Sequence, residues 1–201
     1  MSYLAEVEDD YKAGRLVAAA EGYQRVVELE PTNDEALRQI AWLWILRGKP
    51  EQAVEPARKA LEINDSALNG AILAMALDWT SQYDEAIKVA LAAVDKDPLS
   101  AEAHAALAEV YADRNNWVRA LEEAEQAVKL DPNSAFVQRN MGYVLSMQGR
   151  YEDALDTYAK AAELAPKLGY IYISAGNIYM ALNQYEDAIA QFEKAVQANP
   201  D

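Results

Sequence analysis

The residues equipped for proton transfer or metal ligation are few, and their spacing suits neither. His104 is the one histidine in 201 residues, and there is no cysteine. Zinc sites gather His and Cys in sets, so zinc spacing is absent. Nucleophilic catalysis through a Ser–His pair would rest on His104 alone, and no nucleophile-elbow motif occurs. The eight glycines are dispersed and build no phosphate-cradling loop. Paired acids such as Glu122-Glu123 and Glu152-Asp153 read as the solvated face of helices, where early acids also complement the helix dipole. The reading is therefore no enzyme, no metal and no cofactor.

Composition narrows the partner. The formal charge is −15, from 33 acids and 18 bases dispersed among them. Nucleic acid needs its phosphates neutralised by Lys and Arg, so RNA or DNA binding is excluded as an expectation. Anionic membranes are disfavoured for the same reason, and no apolar run approaches the length of a membrane span. A protein partner of neutral or basic character fits better. The N-terminus, Met1-Ser-Tyr-Leu-Ala-Glu-Val-Glu-Asp-Asp10, has neither a basic nor an apolar leader region, which gives a cytoplasmic expectation. Without cysteine the redox compartment stays open.

What positions these residues is a repeat. A helix stop recurs at Pro31, Asp65, Pro98, Pro132, Pro166 and Pro200, at intervals of 34, 33, 34, 34 and 34 residues. Such periods mark a solenoid, whose core grows with every unit. With each stop set at position 32, position 20 is Ala in every unit: Ala19, Ala53, Ala86, Ala120, Ala154 and Ala188. Position 8 is small in the last five units (Ala41, Ala74, Ala108, Gly142, Gly176), and position 27 is Ala in the same five. Small residues facing each other let two antiparallel helices approach closely, while larger ones at positions 11, 17 and 24 fill the flanks.

These residues resemble the tetratricopeptide repeat, a 34-residue helix pair, over essentially the whole chain. The resemblance is strongest in the last two units, through Gly142, Tyr151, Ala154, Tyr158, Ala161 and Pro166, then Gly176, Tyr179, Tyr185, Ala188, Phe192, Ala195 and Pro200. It implies an all-α, right-handed α-solenoid of six units, bounded at 1–32, 33–66, 67–100, 101–134, 135–168 and 169–201. First helices are expected near 2–13, 33–47, 66–80, 100–114, 134–148 and 168–182. Second helices are expected near 16–30, 50–63, 83–96, 117–130, 151–164 and 185–198. Gly14, Gly48 and Gly149 fall in turns within units, and Ser100 with Asn133 or Ser134 are N-cap candidates between units. Pro50 suits the first position of a helix, whereas Pro56 removes a donor further in and predicts a kink. The first unit departs from the pattern, with Val7 at position 8, and looks like an N-terminal cap.

The family resemblance assigns ligand contact to one stripe of the first helices, positions 2, 5, 9, 12 and 13. The second unit offers Glu35, Arg38, Trp42, Ile45 and Leu46; the third Leu68, Ala71, Met75, Asp78 and Trp79. The fourth offers Glu102, Ala105, Glu109, Ala112 and Asp113; the fifth Phe136, Arg139, Tyr143, Ser146 and Met147; the sixth Tyr170, Ile173, Asn177, Met180 and Ala181. The expected groove is apolar, then acidic, then apolar and aromatic. From it the partner-binding candidates are Arg38, Trp42, Ile45, Leu46, Met75, Trp79, Glu102, Glu109, Asp113, Arg139, Tyr143, Tyr170 and Asn177. Trp42 and Trp79 lead, since Trp is a common binding anchor. The expected ligand has apolar segments flanking a basic residue that meets Glu102, Glu109 and Asp113. The carboxylate clamp of some family members, Lys at 5 and Asn at 9, is not met: Asn177 stands beside Ile173.

The chain reaches Asp201 where a covering helix would begin, leaving Ile189, Phe192 and Val196 to face it. Homo-association through this uncapped unit is expected. The leading function is a non-catalytic scaffold that binds a partner peptide or protein in its concave groove. The alternatives are a recruiting or regulatory arm of a larger enzyme or secretion machine cut at residue 201, and a self-assembling structural module.

Overall fold

The computed structural model describes residues 3–199, with side chains from Glu6 onward; Pro200, the last expected helix stop, lies outside them. Among the described residues there are twelve helices and no strand. The first helices are α1 (Tyr3–Lys12), α3 (Asp34–Leu46), α5 (Ala67–Trp79), α7 (Ala101–Asp113), α9 (Ala135–Met147) and α11 (Gly169–Ala181). The second helices are α2 (Leu16–Leu29), α4 (Pro50–Ile63), α6 (Tyr83–Lys96), α8 (Trp117–Leu130), α10 (Tyr151–Leu164) and α12 (Tyr185–Ala198). Each second helix packs on its own first helix, α2 to α10 also on the next unit's first helix, and α3, α5, α7, α9 and α11 pack in series. First helices therefore carry neighbours on more sides. In α5 burial is unbroken from Asn69 to Asp78, and in α7 from Ala103 to Ala112. A helix that is apolar nearly all round can only be stable inside.

The small positions do what their spacing predicts. Ala41, Ala53, Ala74, Ala86, Ala108 and Ala120 are all fully buried where paired helices meet. A Cβ added to Gly142 would come within 2.8 Å of the Tyr158 ring, and one on Gly176 would strike Phe192. In the first unit the roles are exchanged. Val7 occupies the usually small position 8, and the space is recovered on α2 at Gly22, where a Cβ would overlap the Val7 side chain. The first unit is thus a complementary version of the same joint.

The boundaries follow local chemistry. Asn33, Ser66, Ser100 and Ser134 each accept from a backbone N–H three residues on and cap α3, α5, α7 and α9. Ser134 is the cap rather than Asn133, whose N–H is instead held by Asp131. The turn inside every unit contains one left-handed residue at the same repeat position. Gly14, Gly48 and Gly149 supply it in three units, as expected, and Ser81, Asn115 and Asn183 in the others, with φ of 62°, 57° and 59°. Pro56 does not end α4, which continues to Ile63.

A buried polar knot fastens the second unit to the third. Asn69 donates to Asp34, to the Asn64 carbonyl and to the Ala60 carbonyl, and accepts from Arg38. The hydrogen bond from Asn69 is the main reason the Asp34 carboxyl stays below its ordinary range.

The two ends of the array meet. The Asn199 side chain accepts from the Gly169 N–H at 2.6 Å and donates to the Gly14 carbonyl at 3.4 Å. A Cβ on Gly14 would collide with the Ala198 carbonyl and approach that of Lys167. The inner face is therefore the wall of a closed channel.

Candidate functional site

The channel wall is built from side chains spaced three and four apart on first helices, which share one face. Trp42 of α3 reaches across to the far side. Its ring meets Phe136 of α9 edge-on at 5.4 Å between centroids and Tyr170 of α11 at 6.0 Å. Its Nε1 donates to the Tyr11 hydroxyl at 2.9 Å. Four aromatic residues from four helices thereby form a clasp.

A cavity opens on each side of the clasp, and Trp42 and Tyr170 line both. The larger, about 700 Å³, is walled by Ile45, Leu46, Met75, Trp79, Arg139, Tyr143, Met147, Tyr158, Ile173 and Asn177 among others. The smaller, about 490 Å³, is walled by Tyr11, Arg38, Leu68, Ile72, Glu102 and Phe136, with Lys12 and Lys167 at its edge. Cavities of this size, mostly apolar with few polar groups, are the usual form of a ligand site.

Behind the larger cavity lies a charged cluster. Arg139 donates to Glu109 at 2.8 Å, and both side chains are almost wholly buried. Three ring faces surround the guanidinium: Trp79 at 5.8 Å, Tyr143 at 5.2 Å and Tyr170 at 5.6 Å. Burial alone would favour losing the proton, yet Glu109 outweighs it and the guanidinium is held charged. Trp79 Nε1 donates to the other Glu109 oxygen at 2.8 Å, and the Tyr143 hydroxyl donates to Asp113. Desolvation, chiefly, holds the Tyr143 and Tyr170 hydroxyls protonated. Asp78 is 2% exposed, and neither of its carboxyl oxygens has a hydrogen-bond partner. Burial first, then the nearby Asp113, pushes its pKa up to about 9. It is a neutral acid at pH 7.

All thirteen sequence-chosen residues lie on inner helices, but they divide in accessibility. Ile45, Met75, Glu109 and Arg139 are buried, and Trp79 and Asn177 are exposed. The rest are partly exposed. Glu109 and Asp113 already serve Arg139 and Tyr143, while Glu102 belongs to the other cavity. Tyr11 and Tyr158 were outside the chosen stripe. For Tyr158 the available signal was an aromatic residue opposite Gly142; for Tyr11 there was none. His104 is buried, with its ring nitrogens 2.6 Å from Glu123 and 3.1 Å from the Pro98 carbonyl, so neither is free to act as a base.

A family model described as tetratricopeptide repeat matches residues 4–67 and 73–135. The chain belongs to the tetratricopeptide repeat family. Two further models of that description match residues 145–201 and 123–156. Members are protein-interaction scaffolds and generally not catalysts. Among solved structures, TTC0263, a thermophilic tetratricopeptide protein of Thermus thermophilus, aligns at TM-score 0.70 and 23% identity, over 89% of this chain and 97% of that one. YrrB, a tetratricopeptide protein with an unusual peptide-binding site, aligns at 0.51 and 23%, over 91% and 95%. Human IFIT1, solved as a dimer with m7Gppp-AAAA, aligns at 0.70 and 18%, over 91% of this chain and 46% of that one. At these identities the likeness is one of fold. No curated protein matches in sequence. No helix among the described residues is long and apolar enough to cross a membrane.

Proposed function

We propose that this chain is a non-catalytic scaffold that holds an extended, mainly apolar segment of a partner protein in its inner channel. The observation that carries this reading is the pair of aromatic-walled cavities meeting at Trp42. A helix is about 10–12 Å across with its side chains. Ring centroids 5.4 and 6.0 Å apart are in contact and leave no passage through the clasp, so the two chambers suit inserted side chains of an extended segment better than a whole helix. A basic residue of the partner would face Asp113 or Glu102, the two chosen acids that keep exposure. The peptide-binding site of YrrB supports the ligand class. The nucleotide in the IFIT1 structure does not transfer readily, because a net charge of −15 opposes phosphate binding. Cytoplasmic residence accords with this role.

The test is capture of a partner by the intact chain, compared with Trp42→Ala and Trp79→Ala. Each variant should weaken binding at least tenfold, the range expected for a buried aromatic anchor. Undiminished capture by both overturns the assignment to the channel. Peptide arrays with basic and acidic residues exchanged address the charge: equal binding of the acidic set removes the basic partner residue from the proposal.

A second reading has its own observation. Tyr185, Ile189 and Val196 on α12 are 51%, 56% and 69% exposed, an apolar surface that a second copy could cover. Light scattering that stays monomeric at high concentration would dismiss it.

A further inference from the structure

The contact that closes the channel is unlike the contacts that build it. Successive units are joined by packed helices and by short polar bonds, such as those of Glu109 with Trp79 and Arg139, both 2.8 Å. The packed helix pairs include none between α1–α4 and α9–α12. What crosses the closure among the described residues is the pair of Trp42 ring contacts, the approach of Gly14 to the Ala198 carbonyl, and the bond from Asn199 to Gly14. At 3.4 Å that bond is longer than an ordinary one. The closure is also hollow. Cavities of about 700, 490 and 390 Å³ are each lined from both sides, by Trp42 with Tyr170 in the first two and by Leu46 with Val196 in the third. A packed interior has few voids larger than a water molecule.

The core is divided at matching places. One buried apolar group runs from Ala41 to Val144, a second joins Val7 to Leu43, and a third joins Leu145 to Ile178. Helix α1 also stands outside the series of packed first helices. The two ends are thus bodies attached to a middle, and they meet through a thin contact. Regions with few buried contacts open at the least cost, well before the whole fold does. We infer that the Trp42 clasp and the Gly14–Asn199 seam form a latch: the end units part there as bodies while their helices stay folded, and a segment bound in the channel is laid in from the side. Threading is closed to such a segment, because the clasp rings touch and block passage between the chambers. Side entry rests on the channel being a binding site; the latch does not.

The chain has no cysteine, so a pair can be introduced without background. Lys12 and Lys167 are exposed and edge the smaller cavity from opposite sides of the closure. Spin labels on Lys12→Cys and Lys167→Cys in the whole protein report their separation by double electron–electron resonance. The expected distribution holds a close population and one about 10 Å longer, the thickness of one packed layer. Asn199→Ala and Trp42→Ala should each raise the longer population by about threefold or more, the effect of losing one modest contact, with helix content unchanged by circular dichroism. A distribution that neither variant shifts overturns the latch, and so does a longer population that appears only with loss of helix. Joining the two cysteines with a short reducible bismaleimide then tests side entry, with a dansyl peptide that alternates Leu and Ser around one Lys as the probe. The locked chain should bind it about tenfold more weakly than the reduced chain, because locking removes the competent state. Equal binding in the two states overturns side entry. A peptide that the reduced chain does not bind removes the channel's role and side entry with it, while the distances still decide the latch.

Discussion

At the scale of single residues, the inner face mixes proposed anchors with groups the fold itself consumes. Trp79 both lines the larger cavity and spends its Nε1 on Glu109, so its indole is fixed in orientation before any partner arrives. Fixed aromatic anchors lose little freedom on binding, which favours affinity. Asp78 is the residue whose behaviour is most open to measurement. Its folded pKa of about 9 lies far above the usual carboxyl value, so the folded state binds a proton that the unfolded chain has released. Stability from this group is therefore greatest below pH 4 and is lost as pH rises from about 4 toward 9. Asp78→Asn should remove that slope. Chemical denaturation should find the variant more stable than the parent at pH 8, by on the order of a few kcal/mol, with the gap closing toward pH 4. A gap independent of pH would mean that Asp78 is not the titrating group.

At the scale of helices, the repeat pattern made the architecture readable. The period placed twelve helices, because the alternation of small and large residues has one close-packed solution per unit. The caps at Ser66 and Asn33 and the left-handed turns at Ser81, Asn115 and Asn183 were less visible. Asn and Ser occur in many contexts, whereas Gly in a turn announces its backbone. The exchange of large and small between Val7 and Gly22 was hidden for a related reason: the rule was read one position at a time, and the joint conserves the sum of two. This gives a clean test. Gly22→Ala should destabilise by about 1–3 kcal/mol through overpacking against Val7, and Val7→Ala in the same chain should recover most of it. Additive losses in the double variant would show that the two residues do not share one space.

At the scale of the whole molecule, the inner stripe of first-helix residues was legible, and its engagement with itself was not. Whether opposite walls of a solenoid touch depends on small rotations accumulated from unit to unit, which no single repeat encodes. Closure then decides the fate of chosen residues: Trp42 and Tyr170 meet across the channel rather than facing outward into a broad groove. The seam at Gly14 and Asn199 is narrow, so one substitution should part it. Gly14→Val places a branched side chain at φ 77° and against the Ala198 carbonyl. X-ray scattering should show a larger radius of gyration than the parent with unchanged helix content. An unchanged radius would mean that the clasp at Trp42, not the seam, holds the ring.

The hydrogen bond from Asn199 to Gly14 also changes how the molecule can come apart. An open array behaves as a row of neighbours, and its terminal units fray separately, each exchanging amide hydrogens on its own schedule. A contact between the turn before α2 and the end of α12 couples the first unit to the last. Opening the end of α12 then exposes the turn before α2, and loosening that turn frees the end of α12. Strength at one terminus becomes a property of the other.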